Sequence, residues 1–323
     1  MRLEDLVTGE LLLTFPGLEG QTWPLAFSPD SRLLGAYNSN FKRLKKDDPA
    51  STANSLVLWE VATASEVLSL PLAGQPRAAF SPDGRLVAIP APMHSILVWD
   101  LAQGREWRRF KEFDGEVTWL AFSPDGRRLV SGHADSTLLV WDVPAAAPVR
   151  NDKLPPETLS KAWADLAGGD APSAFRARWT LSGAQEAALP LLAKHLQPAR
   201  PADRKPLEKL LAELDSDQFE TRTAAQKELE KLGELATPAL RDMLAKSPSL
   251  ESRRRAQAIL DKLRGPVIDP EQRRAVRAVA ILEDMSTPEA RKLLAALADG
   301  APEARLTREA RAALERLRQR PAH

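Results

Sequence analysis

The chain offers few residues that could do chemistry. It has four histidines, His94, His133, His195 and His323, so little imidazole is available for proton transfer or metal binding near neutral pH. His133 sits in "SGHAD". It reads as a polar turn or strand-edge residue, not as a ligand or base, and its removal is expected to cost little. The acid pair Asp47–Asp48 lies in a polar stretch, "NSNFKRLKKDDPASTANS", and reads as solvated. "SPDG" is a tight-turn signature, with proline fixing φ and glycine accepting φ > 0. It lacks the further carboxylates of a calcium loop. There is no cysteine, which excludes disulfides and thiolate metal sites. No Gly-rich phosphate loop, HExxH or GxSxG is present. The expectation is therefore a protein with no catalytic residues, no metal and no cofactor.

Arginine is the one charged feature to weigh. Arg253, Arg254 and Arg255 are followed by Arg273, Arg274 and Arg277, then by Arg305, Arg308 and Arg311. Residues 144–323 carry 31 Lys+Arg against 26 Asp+Glu, and the rest carry 14 against 18. On stacked helices these arginines could line a groove and neutralise phosphates. The competing reading is a solvated helix face with partners four residues away, such as Glu251 with Arg255. No aromatic residues interleave with the arginines, so single-strand stacking is not supported and nucleic acid is not the expected partner.

Two kinds of element must position these residues. Up to about Val143 the apolar residues alternate, as in strands. From about Glu157 they recur with helical spacing. We place an all-β region at 1–143, a proline-rich linker at 144–156 and an all-α region at 157–320. The N-terminus, "MRLEDLVTGELLLTF", has early acids and only a short apolar run, so it reads as neither signal peptide nor membrane span. The lack of cysteine suits a reducing cytoplasm.

The strand region repeats. "AFSPDSRLLGAY" begins at Ala26, "AFSPDGRLVAI" at Ala79 and "AFSPDGRRLVSG" at Ala121. Each is followed by a β-rich run ending in Trp-acid, at Trp59–Glu60, Trp99–Asp100 and Trp141–Asp142. The aspartate-to-tryptophan spacing is 16 residues in copies two and three and 29 in copy one, which therefore holds a 13-residue insertion. The segments "ELLLTF", "EVLSL" and "EWRRF" read as a fourth strand. Four strands per repeat, a period near 40 and the Trp-Asp signature resemble WD40 repeats of a β-propeller. The resemblance covers about 1–143. It implies a buried hydrogen-bond tetrad of His, Ser or Thr, Asp and Trp. Copy three keeps Ser131, Asp135 and Trp141. The tetrad's histidine position falls at Phe113, Leu18 and Pro71 in the three copies, so the network is expected to be incomplete.

The helical region has its own pattern. In "DSDQFETRTAAQKELEKLGELATPALRDML", Asp215, Ser216 or Asp217 could cap a helix. Phe219, Ala224, Ala225, Leu229 and Leu232 form an apolar face, and Gly233 ends the helix. Thr287–Pro288–Glu289 places a cap, a first-turn proline and an acid at another start. The segments "LGELATPAL" and "STPEARKLLAAL" are similar to short HEAT-like repeats, which implies a helical solenoid. A WD-repeat region followed by such a tail resembles a group of large bacterial WD-repeat proteins.

Taken together, the expected protein is a partial WD40 propeller of about three blades followed by a HEAT-like solenoid. The expected role is a non-catalytic protein–protein interaction scaffold. The alternatives are a helical nucleic-acid binder using the arginine groove, or the regulatory C-terminal part of a larger enzyme such as a kinase. Matching "MRLEDLVTGELLLTF" to a third strand, turn and fourth strand, and counting it as one outer strand, gives twelve strands. Closed propellers need roughly 4–8 four-stranded blades. An open arc is therefore expected, with end faces available for self-association, either as a piece of a longer propeller or as two copies making six blades.

Overall fold

The structure is a computed structural model describing all residues except 41–53, 112, 145–149, 152, 247–248 and 320–323. Asp47–Asp48, much of the copy-one insertion and His323 lie outside the described residues. The chain divides into two compact units, Met1–Ala188 and Leu189–His323.

The first unit opens with a hairpin of β1 (Arg2–Glu4) and β2 (Leu11–Thr14). Three antiparallel sheets follow. The first contains β3 (Gln21–Phe27), β4 (Leu33–Ser39), β5 (Asn54–Glu60) and β6 (Ser65–Pro71), in that spatial order. The second contains β7 (Ala79–Phe80), β8 (Leu86–Ala91), β9 (Ser95–Asp100) and β10 (Arg105–Phe110). The third contains β11 (Val117–Phe122), β12 (Arg128–His133) and β13 (Leu138–Asp142), with no fourth strand among the described residues. The outer segment at the N-terminus is two strands and not the one expected, so there are thirteen among the described residues.

Each β-meander is pinned by the same turn. Ser28, Ser81 and Ser123 donate to Asp30, Asp83 and Asp125 at 2.5, 2.5 and 2.6 Å. The serine hydroxyls accept from the amides of Leu33, Leu86 and Arg128 at 2.9, 2.8 and 2.9 Å. Gly84 and Gly126 take the positive φ that this turn requires, and Ser31 takes it without that glycine's freedom.

The sheets stack face to face. Tyr37, Leu56 and Leu58 of the first pack on Val87, Ile89 and Leu97 of the second. Ala88, Ile96 and Val98 of the second pack on Val117, Leu120 and Leu129 of the third.

Helices α1 (Pro156–Asp165) and α2 (Ala171–Gly183) belong to this same unit. It therefore extends beyond the linker expected at 144–156. The reason is that α2 packs on β6, burying Ala171 in the core between the first two sheets with Phe175 and Trp179 against it. Arg178 of α2 also pairs with Asp30 of the first turn at 3.2 Å. Burial would raise the Asp30 carboxyl, but the Arg178 and Arg32 guanidiniums and the Ser28 hydroxyl outweigh it and hold the group well below its usual 3.8. A depressed folded pKa adds stability that is present above the unfolded value and lost as pH falls through the folded one. Asp30→Asn is therefore expected to lower stability at pH 7 and to flatten its fall below about pH 4. Denaturant midpoints at pH 7 and pH 3 check this, and an equal loss at both would contradict it.

In the second unit, α4 (Arg204–Glu213), α5 (Phe219–Leu232), α6 (Thr237–Ala245) and α7 (Leu250–Arg264) share a core of Leu214, Ala225, Leu229, Leu240 and Ile259. After them, α10 (Arg305–Gln319) packs against both α8 (Pro270–Met285) and α9 (Pro288–Ala298). Helix α3 (Gln185–His195) spans the division between the units. The α9 start is as expected, with the Thr287 hydroxyl accepting from Ala290 N at 3.2 Å and Pro288 in the first turn. Gly233 ends α5 at φ 60°. Two details differ. None of the three candidates caps α5, whose N-cap is Gln218 without a side-chain cap bond. Asp215 instead accepts from Ser249, the N-cap of α7, and from Ser252. Phe219 is 66% exposed, not on the buried face, and Arg255 covers its ring at 5.6 Å.

Candidate protein-interaction surface

The histidines scatter. His94 is exposed at positive φ between β8 and β9, and His195 is exposed at the end of α3. Among the described residues no three His, Cys, Asp or Glu side chains gather as metal ligands.

His133 corrects the expectation of a surface or edge residue. It is buried, 6% exposed, with its ring against Phe113 at 4.6 Å. Its Nδ1 lies 3.1 Å from the Gly115 carbonyl and its Nε2 lies 2.8 Å from Ser131 Oγ. Trp141 Nε1 donates to the same Ser131 Oγ at 2.8 Å. A carbonyl can only accept, so Nδ1 carries the proton and Nε2 accepts from the serine. The result is a directed chain from Trp141 through Ser131 and His133 to Gly115. A histidine at the end of the second strand thus supplies what is missing before the first, where Phe113 packs on its ring. Asp135 stays outside the chain and accepts from Thr137 N and Oγ1. Its carboxyl is held low first by the Thr137 hydroxyl and then by the Thr137 amide.

Copies one and two have Ala36 and Ile89 where Ser131 stands. Their Trp59 and Trp99 indole nitrogens are buried with no hydrogen-bond partner among the described residues. Ser131→Ala is expected to orphan Trp141 Nε1 in the same way and to cost about 1–3 kcal/mol. Urea unfolding followed by far-UV circular dichroism checks this, and a neutral result would show that the serine is not holding the indole.

The third sheet also leaves its far face open. Trp119, Leu138 and Val140 are 51%, 64% and 56% exposed. Their strands align them on one face through the pairs Trp119↔Gly132, Gly132↔Leu138 and Val130↔Val140. The repeat maps Leu138 and Val140 onto Leu56 and Leu58, and onto Ile96 and Val98, all of which are 0% exposed. The next sheet covers those positions, whereas no further sheet among the described residues covers the third. Large exposed apolar faces mark interaction sites. Sequence analysis locates this face only by counting strands.

Most of the arginines have partners within the helical unit. Arg255 pairs with Glu251 and Arg274 with Glu271, both at 2.6 Å. Arg305 and Arg308 share Glu234 at 2.8 and 3.1 Å. Arg311 donates to the Ala298 carbonyl, and Arg277 is buried. Arg253 and Arg254 are exposed. Most of the set is spent inside the helical unit, which leaves little cationic surface for phosphates.

The WD40 family (WD domain, G-beta repeat) matches residues 106–142, from β10 through β13. WD repeat-containing protein SL1-17 of Schistosoma mansoni is 32% identical over 133 residues, a match taking in 32% of this chain and 44% of that protein. The chain thus spans under half the length of that curated relative. Among solved structures, "Structure of U3-55K" aligns with TM-score 0.32 and 22% identity over 40% of this chain and 38% of that one. "Crystal structure of RRP9 WD40 repeats" aligns with TM-score 0.32 and 21% identity over 40% and 37%. WD40 repeats generally mediate protein–protein interactions, and proteins that carry them are typically non-catalytic. Among the described residues no helix is long and apolar enough to cross a membrane. Residues 106–142 match the WD40 repeat family, within a β-sheet region that is followed by a helical region.

Proposed function

We propose that the chain is a non-catalytic protein–protein interaction scaffold of the cytoplasm, built from WD40-type sheets and a HEAT-like helical tail. The observation that carries this reading is the open face of the third sheet, where Leu138 and Val140 are exposed at positions that are core in the other two sheets, with Trp119 exposed beside them. An apolar centre rimmed by Arg128 and Asp142, both exposed, has the anatomy of a protein interface. The ion pairs of Arg255, Arg274, Arg305 and Arg308 and the carbonyl contact of Arg311 favour a protein over a nucleic acid as partner. The HEAT-like reading draws on three helices with proline in the first turn, α6, α8 and α9, at Pro238, Pro270 and Pro288.

The test compares proteins captured by the intact chain and by the double variant Leu138→Asp/Val140→Asp, identified by mass spectrometry. Proteins retained by the intact chain and lost by the variant are expected. The same set on both baits would remove the face from the proposal.

A further inference from the structure

We infer that the partner of the open face is a second copy of this chain, docked by strand exchange so that its β13 replaces β1 beside β2. This inference rests on the interaction reading above and assigns that face its occupant.

The argument comes from register. In the first sheet, β5 and β6 pair as Val57↔Ser69, Leu58↔Leu68 and Trp59↔Glu66, with an irregularity between Leu58 and Trp59. In the second, β9 and β10 pair as Leu97↔Arg109, Val98↔Arg108 and Trp99↔Glu106, again with a bulge at that point. The N-terminal hairpin pairs as Arg2↔Thr14, Leu3↔Leu13 and Glu4↔Leu11, with the irregularity between Leu3 and Glu4. The three registers are the same. The following turns agree as well. Asp5 accepts from the amides of Val7 and Thr8, as Asp100 accepts from those of Ala102 and Gln103. The hairpin is therefore the outer half of a blade, with β1 as its third strand and β2 as its fourth.

This half-blade covers the first sheet. Met1, Leu3, Leu13 and Phe15 pack on Leu34, Ala36, Val57 and Trp59. By register, Met1 and Leu3 occupy the places of Leu138 and Val140. The other face of β1 carries Arg2 and Glu4, both exposed, where β5 and β9 have Val57 with Trp59 and Leu97 with Trp99. Strand β1 is thus a short polar-backed stand-in for a third strand. Meanwhile β13 is a complete third strand with no fourth strand beside it among the described residues, and its apolar face is bare. Among the described residues, each end of the unit lacks what the other end of a second copy supplies.

Exchange pairs β2 with β13 of the second copy, as Thr14 opposite Leu139 and Leu13 opposite Val140. It lays the second copy's Leu138 and Val140 on the first sheet, where Met1 and Leu3 lie in the single chain. Applied twice, it closes two three-sheet arcs into a ring of six, within the roughly 4–8 blades that close. A two-fold ring of this kind is the commonest closed symmetry.

The chain has no cysteine, so engineered thiols report the contact cleanly. One preparation carries Thr14→Cys and another Leu139→Cys. They are mixed under mild oxidation and compared with a mix of Leu6→Cys and Leu139→Cys. Leu6 is fully exposed in the hairpin turn and stands outside the predicted register. We expect a covalent dimer in the first mix, formed several-fold faster than in the control. Light scattering should give a dimer mass for the intact chain at tens of micromolar and a monomer mass for Leu138→Asp/Val140→Asp, with an unchanged circular dichroism spectrum. Leu3→Asp weakens the resident β1 and is expected to raise the dimer fraction. A monomer at all concentrations, equal cross-linking in both mixes, or a fall in dimer on Leu3→Asp would overturn the exchange. If the intact chain stays monomeric but still captures proteins that the face variant loses, the exchange fails and the scaffold reading stands.

Discussion

Trp141→Ala is expected to lower the stability of the strand unit by about 3–5 kcal/mol, the usual cost of truncating a large aromatic packed in a core. The indole stacks on Phe110 at 4.8 Å, meets Phe113 at 6.0 Å and donates to Ser131. Its loss opens the core between the second and third sheets and leaves Ser131 without one of its two partners. His133→Ala belongs in the same experiment. A strand-edge histidine would shift stability by at most about 0.5 kcal/mol. A buried histidine bonded through both ring nitrogens is expected to cost about 1–3 kcal/mol. Urea midpoints for the two variants decide between these, and a His133→Ala midpoint equal to that of the parent would refute the directed hydrogen-bond chain.

The second large effect lies in the helical unit. Glu283 on α8 is completely buried, and Arg316 on α10 pairs with both of its carboxylate oxygens at 3.0 and 2.8 Å. Removing one member of such a pair takes a two-oxygen ion pair away from a buried charge, and breaking a buried pair typically costs about 3–5 kcal/mol. Arg316→Ala is expected to fall in that range. Replacing both members by leucine removes the buried charge together with the pair, and such double replacements are often near neutral. Thermal melts of the single and double variants check this. A double variant as unstable as Arg316→Ala would mean that the lost packing of the arginine stem, and not the buried charge, sets the cost.

Much of the fold was legible because local rules decide it. The Ser-Pro-Asp turns close in the structure through the serine and aspartate side chains the motif contains. Thr287 caps α9, and Gly233 ends α5. The site was less legible. Ser131 and His133 are two residues apart on one strand, so alternation puts both on one face; that signal was available and was outweighed by the family's usual histidine position. Phe219 has helical spacing toward the core yet stands at the first position of α5, where Arg255 covers it. The arginine triplets could not be assigned from sequence, because Glu234 and Ala298 are 71 and 13 residues away from the arginines they engage.

By itself the sequence determined the order of the elements, the period of the strand repeat and the third copy's ending at Trp141–Asp142. These follow from side-chain alternation, turn chemistry and capping, which act over a few residues. The tertiary structure alone decided which face of each sheet is covered. Leu58, Val98 and Val140 hold equivalent places in the repeat, yet the first two are completely buried and the third is 56% exposed. The difference is made by the neighbouring sheet, because burial belongs to a pair of surfaces and not to a residue. The same reason brings Arg178 to Asp30 and α2 onto β6, joining residues 148 positions apart that no local pattern connects.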